Sequence, residues 1–202
     1  MRRGRLLRLK EILLKLMEEK ILLRKKMRAR RKSLTDFERE TFSNEIVKKF
    51  VAQEVYQNAK IIMAYVSMAE EVQLQKIFID AFTRKKILAV PLIIGKGEMQ
   101  AVEVPNFDAL EIGEFGILTV RKDLRKFIDA EKLNCIIVPG AAFDLNFNRL
   151  GLGGGFYDKF LTRAVNAKKI ALAYDFQIVE KVPTEPHDFK VDMIISEKRI
   201  LK

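Results

Sequence analysis

The chain has 202 residues, 49% of them hydrophobic, and a mean hydropathy near zero; that suffices for one domain with a real core and excludes a mainly disordered protein. One cysteine, Cys135, and one histidine, His187, exclude a disulfide scaffold and any multi-cysteine or multi-histidine metal centre. The net charge of +11 belongs to the N-terminus: residues 1–32 carry 14 basic and 3 acidic side chains, whereas residues 33–202 carry 24 of each, so the charge does not mark the body as a nucleic-acid binder.

Residues 5–31 read as one helix, because Leu6, Leu9, Leu13, Leu16, Lys20, Leu23 and Met27 recur at helical spacing without proline. Charges interrupt it every few residues, so it resembles neither a secretory signal nor a membrane span of roughly 20 apolar residues. A soluble, cytoplasmic protein is the expectation. Thr35 and Glu38 fit a capping box that opens a helix running to about Val51 and burying Phe42, Ile46, Val47 and Phe50. Strands are expected over 60–66, 86–92, 99–104, 135–138, 170–174 and 193–195. Helices are expected over 74–83 and 156–165, and a turn over 95–97. Residues 105–126 lack periodicity and read as a long loop over a site. The alternation predicts an α/β single domain: a mixed, mostly parallel sheet with helices on both faces and an N-terminal helix. Residues 1–19 form a basic helical extension and 20–202 the α/β domain.

Three segments carry chemistry. In the first, Val138–Asp158, a buried strand leads into Gly151, Gly153, Gly154 and Gly155 and then a helix. Glycine lets the backbone approach a ligand closely, and amides at a helix start favour an anion. Arg149 adds a charge-assisted fork for a phosphate, and Asp158 a carboxylate for Mg²⁺ beside it. The pattern is neither a Walker A loop nor a dinucleotide fingerprint, and a flexible turn is the plainer alternative. The second, residues 183–192, is a proline-stiffened loop with Asp188 and Asp192 as candidate metal or substrate groups; Asp192 starts the last expected strand, and His187 is given no metal role. The third, residues 65–72, places Glu70 and Glu71 just beyond the first strand, where ligands bind in α/β sheets.

Together these segments resemble the 5-formyltetrahydrofolate cyclo-ligase family. The matching pieces are Pro139-Gly-x-Ala-Phe-Asp144, Asn148-Arg-Leu-Gly-x-Gly-Gly-Gly-Phe-Tyr-Asp158, residues 171–177, Glu185-Pro-His-Asp188 and Val191-Asp192. Lys20-x-x-Leu-Arg24 and the Glu71 region also fit, so the likeness runs from about Lys20 to the C-terminus. The resemblance implies an ATP- and Mg²⁺-dependent ligase that closes 5-formyltetrahydrofolate to 5,10-methenyltetrahydrofolate, releasing ADP and phosphate. It implies that Lys20, Arg24, Arg149, Leu150, Gly151, Leu152, Gly153, Gly154, Gly155, Phe156 and Tyr157 surround ATP, with Arg149 catalytic. Val66, Glu71, Gly153, Gly154 and Tyr157 would hold the folate, and Asp158 and Asp192 the metal. Leu152 and Phe156 depart from the family pattern, where Tyr or Arg and Tyr are common, and predict altered affinity with the chemistry kept. The expected partner is a small folate, with neither membrane nor nucleic acid, and the chain is expected as a monomer, with a dimer as the alternative. The competing readings are a polyanion (RNA) binder using the basic first helix and a kinase of a small acid. The 19 residues before Lys20 exceed the family pattern, so either Met17 initiates the chain or residues 1–16 form a helical arm; the intact mass of native protein separates the two.

Overall fold

The computed structural model describes residues 2–113, 118–185 and 188–202. Residues 114–117 and 186–187, the latter including His187, lie outside the described residues, as does Met1.

Helix α1 (Arg2–Lys32) runs unbroken through the whole basic segment. Its middle leaves Ile12, Leu13 and Leu14 at least half exposed, whereas Lys20, Met27 and Arg31 are buried against the body. Helix α2 (Asp36–Val51) starts at the expected capping box: Thr35 Oγ1 accepts from the Glu38 amide while Glu38 accepts from the Thr35 amide. A short α3 (Glu54–Gln57) leads into β1 (Ile61–Met63), α4 (Gln75–Thr83) and β2 (Ile87–Gly95). Then come β3 (Glu98–Glu103), the hairpin β4 (Leu110–Ile112) and β5 (Leu118–Val120), and β6 (Phe127–Ile128). Strand β7 (Cys135–Ile137) precedes a second hairpin, β8 (Ala142–Asp144) and β9 (Arg149–Leu150). The chain ends with α5 (Phe156–Leu161), β10 (Lys168–Leu172), β11 (Ile178–Val179), β12 (Met193–Ile195) and β13 (Ile200–Leu201).

The main sheet has eight strands in the order β13-β12-β10-β7-β1-β2-β3-β6. The five central strands, β12 to β2, are parallel, and the edges β13, β3 and β6 are antiparallel. Central strands buried on both faces need apolar residues at every position, and period-2 alternation sends them to two cores. Ile62, Leu88, Cys135, Ile137, Ile170 and Ile195 pack with α2 and α4 on one face. Met63, Ala89, Ile136, Ala171 and Ile194 pack with Phe160 and Leu161 of α5 on the other. This is the expected α/β domain with helices on both faces. Burial pushes the Cys135 thiol up to about 12, so it is an inert core residue. Among the described residues, no helix is long and apolar enough to cross a membrane.

Candidate active site

From β1 the chain crosses to β2 on one side, and from β7 to β10 on the other, which makes the β1–β7 boundary a switch point. A crevice opens beyond the carboxyl ends of strands at such a point. Here it is a cleft of about 800 Å³ lined by Tyr65 and Val66 after β1 and by Pro139 after β7. The same cleft gathers Lys20, Arg24, Glu71, Arg149, Leu150, all of Gly151–Tyr157, and Asp158.

Helix α1 lies across it. Lys20 and Arg24, one turn apart, both face inward. Lys20 Nζ donates to Glu185 Oε2 at 2.7 Å and Asp188 Oδ2 at 2.8 Å, tying the helix to the 183–188 segment. Burial works against that ammonium, but the hydrogen bonds to Asp188 and Glu185, and their charges, outweigh it and hold its pKa above the usual lysine range. Arg24 Nε donates to the Gly151 carbonyl at 2.9 Å.

Arg149 is not in a loop, as its sequence neighbours suggest, but on β9, paired with β8. Asp144 builds the turn between them. Its Oδ1 accepts from the Asn146 and Asn148 amides, at 2.9 and 3.0 Å. Only 4% of Arg149 is exposed. Its Nη1 donates to the Pro139 carbonyl at 3.2 Å and its Nη2 to Asp158 Oδ1 at 2.5 Å. Its Nε is buried without a hydrogen-bond partner. The glycine run then bends sharply, with Gly153 at φ +112° and Gly155 at φ +67°. A side chain at Gly155 takes up the left-handed conformation at about 1–2 kcal/mol. We therefore expect Gly155→Ala to lower the urea-unfolding stability by about 1 kcal/mol. Gly153→Ala should cost more, because φ +112° lies outside that well. Helix α5 is shorter than predicted, ending at Leu161 rather than Val165, so the loop amides matter more here than a helix dipole.

Glu71 occupies the other end of the constellation. It is buried, its Oε2 accepts from the Met68 amide at 3.0 Å, and Arg31 Nη1 of α1 lies 3.7 Å from Oε1. Burial pushes its carboxyl up; the Met68 hydrogen bond and Arg31 oppose this, and Glu70 adds to it. Glu70, the other candidate, faces away and pairs with exposed Arg28 at 3.9 Å. Tyr157 lines the cleft with its hydroxyl buried and without a hydrogen-bond partner. Burial, reinforced by the Glu71 charge, pushes that hydroxyl well above the usual tyrosine range.

The structure does not bring Asp192 to this site. Asp192 precedes β12, so it sits at the amino edge of the sheet, and its Oδ2 accepts from the Lys169 amide at 2.7 Å at the start of β10. Asp158 and Asp192 therefore cannot share a metal. Among the described residues, no group of three His, Cys, Asp or Glu could hold one. Of the two carboxylates expected to hold Mg²⁺, only Asp158 lines the cleft.

Residues 105–126, expected as a long loop over a site, do wall the cleft with Glu111, Leu118, Thr119 and Arg125, but they contain the β4–β5 hairpin rather than loop throughout. Sequence reasoning missed Arg31 as the partner of Glu71.

The family model described as "5-formyltetrahydrofolate cyclo-ligase family" matches residues 16–197. The mouse 5-formyltetrahydrofolate cyclo-ligase is 31% identical over 189 residues, covering 87% of this chain and 92% of that protein. The cyclo-ligase of Mycoplasma genitalium is 28% identical, covering 89% and 98%. The NMR structure of Aquifex aeolicus 5,10-methenyltetrahydrofolate synthetase superposes with a TM-score of 0.82 at 31% identity, covering 91% of this chain and 92% of that one. Sequence and fold thus agree over nearly the full length, and the chain belongs to the 5-formyltetrahydrofolate cyclo-ligase family.

Proposed function

We propose that this chain closes 5-formyltetrahydrofolate to 5,10-methenyltetrahydrofolate at the expense of ATP. The observation that carries this reading is one cleft holding a buried guanidinium beside a glycine run at one end and a buried carboxylate at the other. A formyl oxygen on N5 is a poor leaving group. Transfer of the γ-phosphoryl group breaks its bond to ADP and forms a P–O bond to that oxygen. N10 then attacks the formyl carbon, N10 loses its proton, the C–O bond breaks, and phosphate leaves with the ring closed. Such transfer is catalysed chiefly by positioning and charge stabilisation.

In this reading Arg149 and the Gly151–Gly155 backbone hold the phosphates through the transfer. Lys20 and Arg24 steady the nucleotide from α1, with Leu150, Leu152 and Phe156 bounding its pocket. Val66, Tyr157 and Glu71 hold the pterin. Mg²⁺ at Asp158 would neutralise phosphate charge. The polyanion-binding alternative is not favoured: Lys20, Arg24 and Arg31 turn inward onto Glu185, Asp188, Gly151 and Glu71 instead of facing solvent. Incubation with 5-formyltetrahydrofolate, ATP and Mg²⁺ should produce the near-ultraviolet absorbance of the methenyl product. A flat spectrum with active-site-intact protein would reject the reading.

Glu71 makes the reaction pH-dependent in a stated direction. Its raised pKa keeps the carboxyl protonated to higher pH than a free glutamate. Accepting pterin N–H groups requires the ionised form, so KM for the folate should fall as pH rises through the mildly acidic range. Glu71→Gln should raise KM and flatten that limb. An unchanged limb would assign the titration to another group.

A further inference from the structure

Four basic side chains reach the cleft: Lys20 is paired with Glu185 and Asp188 and Arg149 with Asp158, whereas Arg24 and Arg125 each donate Nε to a backbone carbonyl, Arg24 to that of Gly151 in the glycine run. Arg125 stands on a different element from the other three. It follows a single 3₁₀ turn, Lys122–Leu124, and is half-buried at the cleft wall. Its Nε donates to the Val120 carbonyl at 2.9 Å, which anchors the side chain along β5. Its neighbours pair elsewhere, Arg121 with Asp123 and Lys126 with Glu103. Among the described residues, no carboxylate pairs with Arg125, not even Glu111, which β4 contributes to the same cleft. A partly desolvated guanidinium without a counter-ion is poised to receive one, and its planar fork matches a carboxylate in two parallel hydrogen bonds. Beside it, Leu92, Ile93 and Leu118 give the cleft an apolar wall suited to an aromatic ring.

We propose that Arg125 with this wall forms the subsite for the tail of the folate, the aryl ring lying on Leu92, Ile93 and Leu118 and the guanidinium gripping the α-carboxylate of the first glutamate. The inference rests on the cyclisation reading and adds to it a determinant of which folates are bound.

The test compares 5-formyltetrahydrofolate with 5-formyltetrahydropteroate, which has the ring system and no glutamate, on the wild-type chain and on Arg125→Gln and Arg125→Lys. A charge-assisted bidentate pair predicts that the wild-type chain prefers the glutamyl compound by about tenfold to a hundredfold. Arg125→Gln should abolish that preference, the loss falling on KM rather than kcat, and the tail-less compound should be handled alike by both chains. Arg125→Lys should retain only part of the preference, since lysine keeps the charge and loses the fork. Equal losses on both compounds, or no loss on either, would overturn the assignment. Binding of the two compounds measured by calorimetry reads the same preference without turnover. A chain that binds the glutamyl compound through Arg125 yet makes no methenyl product would refute the cyclisation reading and leave the subsite standing.

Discussion

Arg149→Lys should lower kcat by about two to three powers of ten and leave the KM for the folate nearly unchanged, as expected when a donor aimed at developing charge is removed. The reason lies in how the guanidinium is held. Two nitrogens are committed to the Pro139 carbonyl and Asp158, the residue is almost fully buried, and the glycine run passes so close that a Cβ on Gly151 would lie 2.9 Å from Nη1. A group packed this tightly on a strand pays little reorganisation when charge appears on a transferred phosphoryl group. Lysine keeps the charge but cannot span Pro139, Asp158 and a phosphate oxygen at once. The alanine variant is a poorer probe, because removing one partner of a buried ion pair costs about 3–5 kcal/mol of stability and confounds the rate. Steady-state kinetics against each substrate, with thermal melting of both proteins alongside, decides the matter. If the KM for folate rose as steeply as kcat fell, Arg149 would be a uniform binding group rather than a stabiliser of the transfer.

The elements legible in the sequence were those whose pattern is set locally or by complete burial. Central strands β1, β7 and β12 stand out because both faces are covered, and the start of α2 is written in Thr35 and Glu38. The short hairpin β8–β9 was not legible: its strands carry the charged Asp144 and Arg149, and their pairing depends on a turn organised by one buried carboxylate. The overshoot of α5 has a local cause, since Thr162 Oγ1 turns back to the Lys159 carbonyl and competes with a further helical turn. The misplacement of Asp192 has a topological one. A carboxylate just before a parallel strand lies at the amino edge of the sheet, whereas the cleft lies at the carboxyl edge. Glu70 and Glu71 were indistinguishable as neighbours in a turn; only the packing of α1, which sets Arg31 against one and Arg28 against the other, separates the buried residue from the surface one.

The largest loss of stability from a single polar substitution should come from Asp144, a residue with no place in the chemistry. Its side chain is fully buried. One oxygen accepts from the Asn146 and Asn148 amides, and the other from Asn148 Nδ2 at 3.0 Å and the Val182 amide at 2.9 Å. Alanine would orphan all four donors. At about 1–3 kcal/mol for each donor that water cannot reach, Asp144→Ala should cost about 4 kcal/mol in the urea-unfolding free energy. Asp144→Asn keeps the shape and one acceptor, and should cost roughly half as much. A cost for Asp144→Ala below about 1 kcal/mol, the range of an ordinary surface change, would show that the carboxylate does not bind these segments together. The same four bonds join two walls of the cleft. Asn148 immediately precedes Arg149, while Val182 leads into the segment whose Glu185 and Asp188 hold Lys20. At a temperature where Asp144→Ala is still folded, its KM for ATP should therefore rise and its kcat fall together, because the guanidinium and the ammonium lose their common anchor at once.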